Sequence, residues 1–283
     1  MNYGSVITGI GLELKSVAAE PAAPAINILR TYSKTRAGRA LVKTKITGGL
    51  DSFLQTSFAE NNITLWSTTN AATGTWMGTV GAGAGAFTGA LPTNTNLYTV
   101  LKRSRYANVV TTVNQVVGQR NTEAMFFLGN IADQGGFFFI SRFGFDTWTN
   151  GSRFFAGLHS ATTVVSADPS TLNNTVGFCI DAADNGAISF LTRGTIATKA
   201  VTGFTAVSNK GYEIYIYALP NSTTIGWTIV DLTTLTENSG TATTNQPAVN
   251  TMLTAGILGS NGALATANAI NLGINKIYIE TQY

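Results

Sequence analysis

Gly136-Phe137-Phe138-Phe139-Ile140-Ser141-Arg142-Phe143-Gly144-Phe145-Asp146-Thr147-Trp148, then Asn150-Gly151, then Arg153-Phe154-Phe155-Ala156-Gly157-Leu158-His159, is the stretch that decides the fold. Two aromatic runs flank a dipeptide suited to the positive φ values of a tight turn, which is the pattern of two strands joined in a hairpin. A period of two sends Phe137, Phe139, Phe143 and Phe145 to one face, where they fill a core. The same pattern repeats on either side. Asn108 to Val117, Glu123 to Gly129, Thr175 to Ala182, Ala187 to Arg193, Tyr212 to Leu219, Ile225 to Leu232 and Leu272 to Tyr283 read as strands, and Asn185-Gly186 reads as a second hairpin turn. No amphipathic helix of useful length interrupts them. Turn signals roughly every ten residues predict an all-β fold, a two-sheet antiparallel β-sandwich of jelly-roll type, over 96–283.

Upstream the chain changes character. Residues 1–48 are Ala-rich, basic and punctuated by Pro21 and Pro24, and read as an arm that is either extended or partly helical over Ala25 to Lys45, with Gly38 weighing against the helix. Residues 49–95 hold a short apolar segment at Asn62 to Trp66 and the tract Gly78-Thr79-Val80-Gly81-Ala82-Gly83-Ala84-Gly85-Ala86-Phe87, read as an extended Gly/Thr-rich connector. Its glycines lack the spacing and the following Lys-Ser/Thr of a phosphate cradle.

Only 11% of the 283 residues are charged, against about 25% in an average soluble domain. Thr, Asn and Gly, at 43, 24 and 30 residues, make up about a third of the chain, so neutral hydroxyls and amides wet the surface. The 15 Phe, 9 Tyr and 4 Trp exclude intrinsic disorder. No apolar run reaches the ~18 residues of a membrane span, and Met1-Asn2-Tyr3-Gly4-Ser5 lacks a secretory n-region. The net charge of +3 is uneven: residues 1–45 carry seven basic residues against Glu13 and Glu20, so the remainder is slightly negative. That distribution does not describe a basic nucleic-acid-binding face. Cys179, the only cysteine, sits in an apolar context that suggests burial.

Enzyme chemistry finds little material. His159 is the sole histidine and has no nucleophile elbow beside it, so a strand-end histidine bonded to backbone is the plainer reading. Glu123, Asp133, Asp146, Asp168, Asp181 and Asp184 are the acids from which a glycosidase pair would have to be built. With one Cys and one His, zinc is excluded in practice. Asp168, Asn173, Asn174 and Asp184 fall in or near loops and could offer oxygens to calcium. We therefore expect a protein that is not an enzyme and has no obligatory cofactor.

Several segments resemble a module of tailed-bacteriophage virion proteins. They are Lys102-Arg103-Ser104-Arg105-Tyr106-Ala107-Asn108-Val109-Val110, Gly118-Gln119-Arg120-Asn121, the aromatic run above, Leu172-Asn173-Asn174-Thr175-Val176-Gly177-Phe178 and Gly273-Ile274-Asn275-Lys276-Ile277-Tyr278-Ile279-Glu280-Thr281. The resemblance runs from about Gly38 onward. It implies a concanavalin A-like (laminin G-like) sandwich and a homotrimeric fibre or spike on the virion. It further implies a host-surface glycan as partner of the sandwich and other virion proteins as partners of the arm. On that footing Trp148, His159, Asn173 and Asn174 are the glycan-binding candidates, and Arg30, Lys34, Arg36 and Arg39 the particle-attachment candidates. A head fibre or capsid decoration protein without receptor role, and a depolymerase fibre, are the alternatives.

Overall fold

The computed structural model describes residues 14–19, 21–25, 28–45, 51–53, 61–67, 78–79, 87–90, 98, 101–108, 112–121, 123–131, 134–161, 166–264 and 270–282. Asp133 lies outside these residues. The described strands pair antiparallel throughout and form two large sheets and one small one. The front sheet runs β13 (Ala197–Thr205), β12 (Ala187–Arg193), β11 (Thr175–Ile180), β10 (Arg153–His159), β17 (Thr254–Ser260), β8 (Val116–Arg120), β5 (Gly78–Thr79). The back sheet runs β16 (Glu237–Ala242), β15 (Ile225–Asp231), β14 (Lys210–Ala218), β9 (Gly135–Trp148), β18 (Ile270–Gln282), β7 (Arg103–Ala107), β6 (Phe87–Ala90). One edge of β18 is shared: its first half meets β7 and its second half meets β4 (Asn61–Ser67).

The aromatic run behaves as its period requires. Phe137, Phe139, Phe143 and Phe145 all point inward and meet Phe154, Phe178 and Phe190 from the front sheet in a single core. Phe143 and Phe154 approach to 4.7 Å between ring centroids, and Phe145 meets Phe154 edge-on at 5.0 Å. Burying each ring contributes about 2–3 kcal/mol by area alone. The sandwich is therefore held by an aromatic layer that the sequence announces.

Other expectations need correction. Asn150-Gly151 does not close a hairpin: β9 lies in the back sheet and β10 in the front, so the turn carries the chain between sheets. Only Gly151 has a positive φ, +90°, and the Ser152 N–H donates to the Thr149 carbonyl at 3.1 Å. Asn185-Gly186 does join paired strands, with both residues at positive φ, but a short 3-10 turn over Ala182–Asp184 precedes it. Asn108 to Val117 is not one strand. It holds a turn at Val113-Asn114 between β7 and β8. Glu123 to Gly129 is irregular apart from a bridge from Phe126 to Leu253. Within 49–95, β4, β5 and β6 pair with β18, β8 and β7, so those stretches are built into the two large sheets.

The described residues of the arm hold strands where a partial helix was one expectation. β1 (Arg30–Arg36) and β2 (Arg39–Lys45) form a hairpin, extended by β3 (Asp51–Phe53). Ala37 and Gly38 turn it at φ +51° and +87°, so an alanine takes a left-handed position more often given to Asn or Gly. The tip rests on the outer face of the back sheet, where the Ala37 N–H donates to Thr228 Oγ1 at 2.9 Å. Gly226 makes this possible, because a Cβ there would stand 2.0 Å from the Ala37 carbonyl oxygen. Ala37 and Leu41 pack with Phe138, Ile140, Tyr215, Val230 and Tyr278, which the alternation of β9, β14, β15 and β18 turns outward.

Candidate functional site

The sandwich has two ends, and β10 connects them. Its seven residues, Arg153 to His159, span about 20 Å at the usual rise of a strand. Trp148 precedes the turn at the Arg153 end, whereas His159, Asn173 and Asn174 lie at the other. The four glycan-binding candidates therefore do not form one site. Trp148 is half-buried against the core, its ring 4.9 Å from Phe145; its backbone N–H donates to Ser208 Oγ at 3.0 Å, whereas its indole N–H has no partner.

His159 is fully buried, which corrects its reading as a ligand contact and as a backbone-bonded histidine alike. Alternation puts it on the outer face of the front sheet beside Phe155, whose ring meets it edge-on at 5.5 Å. The chain then folds back so that the Ser160 N–H donates to the Asn174 carbonyl at 3.1 Å. Neither ring nitrogen has a hydrogen-bond partner. Burial, and secondarily the nearby Arg120 guanidinium, lowers its pKa to about 4. His159 is a neutral core residue at neutral pH.

The loops at this end are tied together by amides. Exposed Asn173 accepts from Arg193 Nε at 3.1 Å, and Arg193 Nη1 donates to the Ser170 carbonyl at 2.6 Å. Asn174 holds φ +50°, donates its N–H to the Gly194 carbonyl at 3.0 Å and accepts from the Ala248 N–H at 2.9 Å. Asn245, also at φ +50°, donates to Thr198 Oγ1 at 2.8 Å. Gln246 Nε2 donates to the carbonyls of Thr223 and Ala242 at 2.5 and 3.1 Å. Loops after β10, β12, β14 and β16 thus converge, with Thr171, Thr195, Thr243 and Thr244 exposed among them. The sequence reading found Asn173 and Asn174 and missed Arg193, Asn245 and Gln246. The only local sign of the last two was the polar string Thr243-Thr244-Asn245-Gln246. Such a rim matches sugar hydroxyls, which need donors and acceptors in alternation.

The oxygens considered for calcium do not meet at one point. Those of Asn173 and Asn174 face Arg193 and Ala248, as described. Asp168 Oδ1 accepts from Arg153 Nε at 2.5 Å and the Ala182 N–H at 2.9 Å. Asp181 and Asp184 share Lys199, whose ammonium stands 3.1 Å from Asp181 Oδ2 and bonds Asp184 directly, filling the place a cation would take. Burial raises the Asp168 pKa, but the Ala182 N–H and Arg153 outweigh it and hold the group below its ordinary value. It is a poor proton donor at neutral pH. Asp146 is paired with Arg103, and Glu123 is exposed.

The four attachment candidates also have intramolecular partners. Arg30 Nη1 donates to the Ala22 carbonyl at 2.7 Å. Arg36 pairs with Glu237 and lies 5.6 Å from the Tyr215 ring centroid, and Lys34 Nζ is 3.7 Å from Glu237. Arg39 pairs with Glu280 and lies 4.6 Å over Phe138 and 5.6 Å from Tyr217. The carboxylates that Lys34, Arg36 and Arg39 meet, Glu237 and Glu280, belong to this chain's own back sheet.

No protein-family model and no curated protein matches this chain. Solved structures do. A protein of unknown function from Shewanella oneidensis MR-1 superposes with a TM-score of 0.57 at 14% identity, covering 81% of this chain and 90% of that one. Peanut lectin gives 0.54 at 11%, covering 79% and 98%. Lectin I from Ulex europaeus, solved with the methyl glycoside of α-L-fucose, gives 0.54 at 10%, covering 79% and 99%. At these identities the likeness establishes architecture: the chain has the antiparallel β-sandwich of the concanavalin A-like lectins.

Proposed function

We propose that this chain is a bacteriophage virion protein, a trimeric fibre or spike whose sandwich faces outward and binds host-surface glycan without cleaving it. One observation carries the binding part: Asn173, Arg193, Asn174 and Asn245 converge at one end of a lectin-type sandwich, with threonine hydroxyls exposed between them. The solved relatives add that this architecture accommodates sugars, as in the Ulex europaeus complex. The virion and trimer assignments rest on the sequence resemblance, and attachment to the particle is assigned to the segment ahead of Arg30, since Arg36 and Arg39 are held by the chain's own carboxylates.

Purified protein titrated onto immobilised host envelope polysaccharide should bind saturably, and Asn173→Ala with Asn245→Ala should weaken it about tenfold or more. Release of new reducing ends from the polysaccharide, or equal binding by the double variant, would sink this reading. Light scattering should give about three times the 29.7 kDa chain mass, and gold-labelled antibody should mark the particle surface. A monomeric mass counts against the trimer.

A further inference from the structure

The hairpin leaves a cleft where it meets the rim of the back sheet. Its lining comes from three places: Arg39 on β2, the adjoining ends of β9 and β18 at Gly135-Gly136 and Glu280-Thr281, and Tyr217 to Pro220 where β14 ends. The space inside it is about 70 Å³, well under the roughly 300–1,000 Å³ of an enclosing small-molecule pocket, so the cleft is a shallow groove that seats one edge of a small ring and leaves the rest in solvent. The cleft exists only because the hairpin is docked, since Arg39 supplies one wall.

The lining combines a charged pair with apolar surface. Arg39 pairs with Glu280, whose residue is only 5% exposed, and Glu280 also accepts the Tyr278 hydroxyl. The Arg39 plane is steadied over Phe138 at 4.6 Å, yet the side chain keeps 28% of its surface. Beside this pair stand the half-buried Tyr217 ring, Pro220 and Leu219, which is 55% exposed.

Three physical features select the ligand. A donor held next to an acceptor matches neighbouring hydroxyls, each of which both donates and accepts. The two charges cancel, so the pair offers an ionic ligand no net attraction, and parting it would leave a buried carboxylate uncompensated. The ring of Tyr217 and the flank of Leu219 and Pro220 offer an apolar surface to the C–H face of a sugar ring. We propose that this cleft binds a neutral pyranose, making the N-terminal hairpin part of a second saccharide site on the outer side of the back sheet. The ligand class rests on the glycan-binding reading above; the site does not.

The full chain is titrated, by NMR, with methyl α-D-galactopyranoside, methyl α-L-fucopyranoside and methyl α-D-glucopyranoside, with N-acetylneuraminic acid as the anionic control. At least one neutral glycoside should shift the Leu219 methyl and Tyr217 ring signals saturably. Leu219→Trp fills the cleft from an exposed position and should weaken that response about tenfold or more. Arg39→Gln should do the same, and Asn173→Ala with Asn245→Ala should leave it unchanged. Shifts confined to the asparagine loops that survive Leu219→Trp overturn the cleft while sparing the glycan reading. A stronger response to N-acetylneuraminic acid at Leu219 overturns the neutral class. No response at Leu219 or Tyr217 to any glycoside overturns the site, while the polysaccharide assay separately decides the glycan reading.

Discussion

His159 allows a sharp test of how the front sheet is held, because it is the only histidine in the chain. It is buried and both ring nitrogens lack partners, so folding requires the neutral ring. Its pKa falls from 6.5 to about 4. A group whose folded pKa is depressed below the unfolded value in this direction binds its proton mainly in the unfolded chain. Stability is therefore full above pH 6.5 and is lost as pH falls toward the folded value. Linkage over that interval predicts a loss of about 2 kcal/mol between pH 7 and pH 5, or roughly 4–8 °C in Tm for a domain of this size. Asp168, Glu213 and Asp231 are also held low, despite burial, by the Ala182 N–H with Arg153, by Lys276 with Arg142, and by Lys210. Their stabilisation is lost only as pH falls below the ordinary carboxylate range, so the window above pH 5 belongs to His159. The assay is urea unfolding of the wild type and His159→Phe from pH 7.5 to 5. The wild type should lose the stated amount relative to the variant, whose curve should stay nearly flat. Parallel curves would refute the buried, neutral histidine.

The hairpin's seat can be tested at Gly226, where an added Cβ meets the Ala37 carbonyl at 2.0 Å. Gly226→Ala should cost about 1–3 kcal/mol and raise amide exchange at Ala37 while the core strands stay protected; unchanged protection would count against the docked tip. Arg103 reaches Asp146 through Nε and Nη2 at 2.9 and 2.6 Å, with both side chains 8% exposed. Removing one member of a buried pair costs about 3–5 kcal/mol, so Arg103→Met should destabilise by that order in denaturant titration, and pairing it with Asp146→Leu should recover most of it. A single-variant loss below about 1 kcal/mol would contradict the buried pair. Cys179 is fully buried, and burial pushes its thiol well above the ordinary range. A thiol reagent should leave the native protein unlabelled and react stoichiometrically in denaturant.

What was legible in the sequence is what local periodicity encodes. Arg153–His159 and Ala187–Arg193 coincide with β10 and β12 because alternation there is uninterrupted and a core lies on one side. The Phe137 to Phe145 run read as core for the same reason. β17 was missed: Thr254-Ala255-Gly256-Ile257-Leu258-Gly259-Ser260 is buried on both faces, and its small residues mark tight neighbours, Arg120 beside Gly256 and Ile270 beside Gly259, more than any period. β13 and β16 are edge strands whose polar, partly exposed residues carry no alternating core face. The hairpin was hidden because Ala37 takes a conformation its residue type does not advertise. Site geometry was least legible, since its contacts join distant residues, such as Arg36 with Glu237, Arg39 with Glu280 and Asn174 with Ala248. Propensity could name Asn173 as a loop residue but not say that Trp148 stands at the opposite end.

The shared edge of β18 also sets the order in which the molecule can form. In the front sheet β10, β11, β12 and β13 pair as successive neighbours along the chain, and such contacts close early. The back sheet has such a meander only in β14, β15 and β16, and the rest of it depends on distant strands. β9 must wait for β18 along one whole side, and β4 meets it by joining Asn61 to Gln282. Loop closure over that span is slow, and until it happens the back-sheet strands keep unpaired edges open to other chains. Pulse-labelled exchange during refolding should show the β10 to β13 and β14 to β16 meanders protected first and β4 and the β18-facing edge of β9 last. The time between those two phases is when this chain is most exposed to misassembly with its own copies.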